Sequence, residues 1–161
     1  MSVTERMFTP RIQETDTGDR PMGSGSECFV VSAALREQLL VLSTAVSRPK
    51  GAVLFRRGDA CAGIFLICSG RVRLALDVAD SAFRPRILGA GCVVGLPSAV
   101  GGSNYSLTAE VLDDAELACV SQEALTDCLR QNSVLCFEVM NILSHEISET
   151  RSALKHSGLR A

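Results

Sequence analysis

Three glycines in close order, Gly89, Gly91 and Gly95, lead into Leu96-Pro97-Ser98-Ala99-Val100 and then a loop from Gly101 to Asn104. Glycine suits a chain that must turn sharply or bring its backbone close to a ligand. Pro97 pre-sets the first turn of a short helix but offers no N–H. A strand-like run ends at Leu88, and an alternating run, Leu107, Ala109, Val111, follows the loop. Strand, single turn, glycine loop and second strand make a small concave cradle, the expected place for a small ligand. Backbone N–H groups from Ser98 onward would face an anion there. Charge to hold one is scarce, because no Lys or Arg lies between Arg86 and Arg130. Arg84 and Arg86 sit on the incoming strand, where they could face solvent.

Other residue types offer less. The seven cysteines are Cys28, Cys61, Cys68, Cys92, Cys119, Cys128 and Cys136, and no two are closer than seven positions. No Cys-x-x-Cys pair is present, which argues against a zinc or dithiol site. Most lie among Val, Leu, Ile and Ala and are expected to be reduced and buried. Cys61, on a turn, and Cys92, in the cradle, are the two with any redox potential, but Cys92 has no nearby positive charge in sequence to activate it. His145 and His156 are eleven positions apart on one helix and read as helix-surface residues. No metal site and no cofactor are expected. Serines are plentiful without a His to serve them, so the chain is not expected to be an enzyme. Tyr105, the one tyrosine, lies in the cradle loop. Its ring either plugs the cradle or closes over a neutral ligand, and the plug is the expectation.

These residues need elements to position them. At 161 residues, 47% hydrophobic and 21% charged, the chain can build one domain with a proper core. A net charge of −2 gives no case for direct nucleic-acid binding. No apolar run approaches the ~18 residues of a membrane span, and the start lacks a signal peptide, so a cytoplasmic location is expected. Residues 1–27 are polar and linker-like and are expected to be a disordered tail. Ser32 caps a helix carrying Leu35, Leu39 and Leu42, expected to end near Val46 before Pro49 and Gly51.

Short strands follow: Ala52 to Arg56, Gly63 to Cys68 buried on both faces, Arg71 to Asp77 alternating, Arg84 to Leu88, Leu107 to Val111 and Ala115 to Val120. Asp77 to Phe83 is a polar hairpin loop. The fold class is mainly β with flanking helices, an antiparallel β jelly-roll barrel over 28–131. Ser121 caps a short helix with Leu125, Cys128 and Leu129 facing inward. A long C-terminal helix over 132–157, about 38 Å in length, carries Cys136, Met140, Leu143, Ile147 and Leu154 as a heptad seam. It can fold over the barrel or pair with a second copy, and the narrow seam favours a homodimer. Phe137, Val139 and Ile142 widen its first half toward the barrel. Gly158 stops it, leaving 158–161 as a tail.

Three stretches carry a family resemblance: Pro49 to Asp59, Ile64 to Leu74, and Leu88 to Gly95. In this order they resemble the cyclic nucleotide-binding domain, in particular the sensor half of catabolite activator and fumarate-nitrate (Crp/Fnr-type) regulators. The resemblance implies a phosphate-binding cassette at Gly95, Leu96, Pro97, Ser98, Ala99, Tyr105, Ser106 and Thr108. It also implies two losses. The family's ribose-binding Glu is replaced by Leu96, and its phosphate-binding Arg by Tyr105. The expected function is therefore a non-enzymatic regulatory domain that does not bind cAMP or cGMP in the usual way. It would act through dimerisation, a protein partner or an unidentified small molecule, with no membrane attachment. The helix-turn-helix part that follows the long helix in the regulators has no counterpart here, so a stand-alone domain is expected. The alternative is a transcription-regulator component whose DNA-binding part is missing or supplied by a partner.

Overall fold

The computed structural model describes residues 29–76 and 85–156, with side chains described up to residue 148. The expected tails 1–27 and 158–161, Cys28, the loop from Asp77 to Phe83, Arg84, and the side chains of Leu154 and His156 lie outside the described residues.

Ser32 caps helix α1 (Ala33–Leu42) by accepting a hydrogen bond from the Leu35 N–H at 3.2 Å. The helix is shorter than its expected reach to Val46. Ser43 closes it, donating its hydroxyl to Leu40 O at 2.8 Å, and the chain turns directly into strand β1 (Thr44–Arg48). Tertiary pairing outweighs helical periodicity here. Thr44 and Val46 are β-branched, and all five residues of β1 pair in antiparallel register with β8 (Ala115–Ser121).

The remaining elements are β2 (Val53–Phe55), β3 (Gly63–Ser69), β4 (Val72–Ala75), β5 (Arg86–Leu88), β6 (Val93–Val94), α2 (Leu96–Gly101), β7 (Thr108–Val111), α3 (Gln122–Gln131) and α4 (Ser133–His156). Among the described residues they form two four-stranded antiparallel sheets, ordered β1-β8-β3-β6 and β2-β7-β4-β5. This is the expected jelly roll with flanking helices.

Two cores follow from the strand period of two. On β3, Phe65 and Ile67 face the space between the sheets, while Ile64, Leu66 and Cys68 face the helices. The strand is covered on both sides, as its near-continuous apolar run predicts. The helix-side core joins Leu35 and Leu39 of α1 to Leu125 of α3 and Leu135, Val139 and Ile142 of α4. Polar ties hold the helices in place. Ser32 donates its N–H and its hydroxyl to the Glu138 carboxylate of α4 at 2.8 and 2.7 Å. Gln122 Nε2 donates to Ala99 O at 2.9 Å, fixing α3 to α2. Ser121 caps α3, as expected. Among the described residues no helix is long and apolar enough to cross a membrane.

Candidate functional site

The glycine-rich stretch folds into the expected cradle. Strand β6 ends at Val94, and Gly95 follows with a φ of 87°, in the left-handed region. A Cβ there would stand 3.1 Å from Tyr105 Cε1 and 3.2 Å from Gly63 O, so both backbone and packing favour glycine. Helix α2 follows with Pro97 in its first turn and Gly102 as its left-handed C-cap.

Tyr105 is fixed from three sides. Its hydroxyl donates to Gly63 O at 2.7 Å, and the Gly63 N–H donates back at 3.3 Å. Its ring stacks on Phe55 with centroids 3.7 Å apart and planes 8° from parallel. Its backbone N–H donates to Asp59 O, and its own carbonyl accepts the Gly58 N–H. The phenol is held neutral, its pKa pushed up to about 12 by burial first and by the adjacent Cys61 thiol second.

A cavity of about 470 Å³ nevertheless remains beside Tyr105. The ring is one wall of the cradle and does not fill it, which corrects the expected plug. Leu96 does not fill it either. It is 2% exposed and packs into the helix-side core with Ile64, Val120 and Leu125, where burial stabilises by about 1.5–3 kcal/mol. Ala99 joins the same core, and Thr108 is buried with its hydroxyl accepting the Arg57 N–H at 3.0 Å. Of the cassette positions, Gly95, Pro97, Ser98, Tyr105 and Ser106 line the cavity. Ser98 is itself buried.

Several lining residues came from elsewhere. Phe55 and Leu74 reach in from the second sheet, and Leu143, Glu146 and Ile147 from α4. Arg86 also lines the cavity and is only 9% exposed. The expectation that it faces solvent is corrected, and the sequence held the signal. On β5 the burial pattern alternates, so Arg86 and Leu88 point inward and Ile87 outward. Nothing in the sequence marks Glu146 as a cavity residue, and the packing of α4 brings it there. Burial raises its carboxyl pKa, opposed by the positive charges of Arg86 and His145.

The expected seam on α4 divides. Leu143 and Ile147 line the cavity, Met140 is 58% exposed, and Cys136 is half-buried. The inward face is instead Leu135, Val139 and Ile142, and Phe137 points outward. His145 is half-buried, with its ring 5.7 Å from that of Phe29. Cys61, Cys68, Cys119, Cys128 and Cys136 are free thiols. Cys92 is disulfide-bonded, so it is not the free thiol expected in the cradle. Burial raises the thiol pKa of Cys68 and of Cys119. Among the described residues no three His, Cys, Asp or Glu side chains group so as to hold a metal ion.

Comparison with known proteins places the chain in a family. The chain is 30% identical over 132 residues to the anaerobic regulatory protein of Bacillus subtilis (strain 168), covering 81% of this chain and 56% of the relative. It thus spans little more than half the length of that regulator. The catabolite activator protein of Thermus thermophilus superposes with a TM-score of 0.66 at 22% identity, over 78% of this chain and 59% of that one. The c-di-GMP responsive global regulator CLP of Xanthomonas campestris superposes with a TM-score of 0.59 at 24% identity, over 79% and 61%. At these identities the two structures speak for the fold alone. Residues 45–132, more than half the chain, match the cyclic nucleotide-binding domain, and the chain belongs to that family.

Proposed function

We propose that this chain is a non-enzymatic sensor domain of the Crp/Fnr type. It holds a small ligand, other than a cyclic nucleotide bound in the family's usual way, and reports occupancy through α4. The observation that carries this reading is the make-up of the cavity wall. Leu143, Glu146 and Ile147 of α4 share one space with Ser98 and Tyr105 of the cradle. A ligand there has different contacts with different positions of α4, which is what shifting a conformational equilibrium requires.

The departures from the cyclic nucleotide pattern have physical consequences. Leu96 is committed to the core and offers nothing to a ribose hydroxyl. Tyr105 has its hydroxyl on Gly63 and its ring on Phe55. Each missing charge-assisted hydrogen bond costs a cyclic phosphate about 1.5–3 kcal/mol. At about 1.4 kcal/mol per tenfold, micromolar affinity falls toward millimolar.

The outward side of α4 supports a homodimer. Val134, Phe137 and Met140 are large, apolar and exposed, at three-residue spacings that put them on one stripe. A second copy laid along this stripe covers it and leaves Leu143 facing its own cavity. Sedimentation at micromolar concentration is expected to give twice the 17.1 kDa chain mass. Phe137→Glu with Met140→Glu is expected to give the monomer. A monomeric wild-type chain removes the dimer from this account. The match to an anaerobic regulatory protein over 56% of that protein's length favours a second reading, in which this sensor is one component of a regulator and acts with a DNA-binding part supplied from elsewhere.

A further inference from the structure

Resting on the sensor reading, one side chain of the cavity defines what the ligand must carry. Arg86 is more than nine-tenths buried, it lines the cavity, and among the described residues its Nε has no hydrogen-bond partner. A buried guanidinium N–H left unsatisfied is costly, and native structures complete nearly all such groups. The backbone of Arg86 is held by strand pairing, opposite Leu74 in the β4–β5 register. Most of the remaining wall is apolar, with Phe55, Leu107 and Leu143 among it. Among the described residues the polar side chains there besides Arg86 are Ser98, Ser106, the Tyr105 hydroxyl already given to Gly63, and Glu146.

We infer that Arg86 is the anion-reading residue of this cavity, and that the ligand is a compact organic anion. Its carboxylate or phosphate group meets Arg86, and its aromatic or aliphatic body lies against Phe55, Leu107 and Leu143. A body rich in hydroxyls would lose its water here with few partners in return, so a sugar-bearing ligand is disfavoured. Glu146 stands on α4 within the field of Arg86 and faces the same space. The incoming anion therefore competes with Glu146 for Arg86. Binding weakens the attraction that draws this turn of α4 to β5, and so couples the ligand's charge to the helix.

The test uses the whole chain and two fluorescent probes of similar shape: anilinonaphthalene sulfonate, an anion, and N-phenylnaphthylamine, which is neutral. Wild type is expected to bind both. Arg86→Met is expected to lose about tenfold to a hundredfold in sulfonate affinity, the worth of one charge-assisted contact, and to keep its affinity for the neutral probe. Glu146→Gln is expected to tighten the sulfonate and leave the neutral probe unchanged. Naphthoate and naphthyl phosphate are expected to displace bound sulfonate, the stronger of the two identifying the anionic group. Equal sulfonate affinity in wild type and Arg86→Met overturns the inference, as does displacement by neither competitor. If Arg86→Met does not fold, Glu146→Gln decides, and unchanged sulfonate affinity contradicts the inference. Binding of neither probe overturns the sensor reading itself, which separates the two failures.

Discussion

Gly63→Ala is expected to lower the unfolding free energy by about 3 kcal/mol or more, beyond the usual cost of overpacking. A whole domain has only about 5–15 kcal/mol to lose. A Cβ on residue 63 would run into Val120 O and lie 2.9 Å from Ser121 Cα. Those atoms are backbone of β8, which is paired on both sides, to β1 and to β3. With Gly63 opposite Ser121 and Ile64 opposite Val120, relief requires the two inner strands to part. The same step would move the groups that hold the Tyr105 hydroxyl, so fold and cradle fail together. Urea unfolding measures it: the midpoint falls sharply while the slope stays constant. An unchanged midpoint would contradict the close approach of β3 and β8.

Tyr105→Ala is expected to cost about 3–5 kcal/mol, the range for deleting a buried aromatic ring. It removes the stack on Phe55, enlarges the cavity, and strips Gly63 of its partner. Tyr105→Phe keeps the ring and loses only the hydroxyl, so about 1–3 kcal/mol is expected for the unsatisfied Gly63 groups. The ordering, Ala well beyond Phe, is the diagnostic result, and equal costs would mean the ring supports nothing. The pH dependence has a definite sign. The phenol pKa rises from an unfolded value of about 10 to about 12 in the folded chain. The hydroxyl's contribution is therefore complete below the unfolded value and is lost as pH climbs through the folded one. The wild type's advantage over Tyr105→Phe should be constant across neutral pH and shrink only in strong alkali.

Much of the scaffold was legible because its signals are local. Ser32 and Ser121 are caps that announce themselves, Gly95 marks a left-handed turn, and the apolar run of β3 needs cover on both faces. Strand β1 was not legible. Thr44 to Arg48 continues a helical pattern in sequence, and only pairing with a strand about seventy residues later makes it β. The site divided in the same way. The turn from Gly95 to Gly101 could be read, whereas Glu146 could not, because only the packing of α4 brings it to the cradle. Arg86 was readable from alternation with Leu88. The general habit of charged residues for the surface obscured it. On α4 the heptad spacing groups Leu143 with Met140. In the folded chain the cradle claims Leu143, and Met140 stays outside.

The central claim is that the cradle keeps the family's backbone and has changed what it reads. Isothermal titration of the whole chain with cAMP and with cGMP tests this most directly. No saturable binding is expected in the low-micromolar range, because Leu96 leaves the ribose hydroxyls without a partner in a largely apolar wall and the cassette positions offer the cyclic phosphate no charge, Arg86 standing on β5 instead. A low-micromolar dissociation constant for either nucleotide would contradict it.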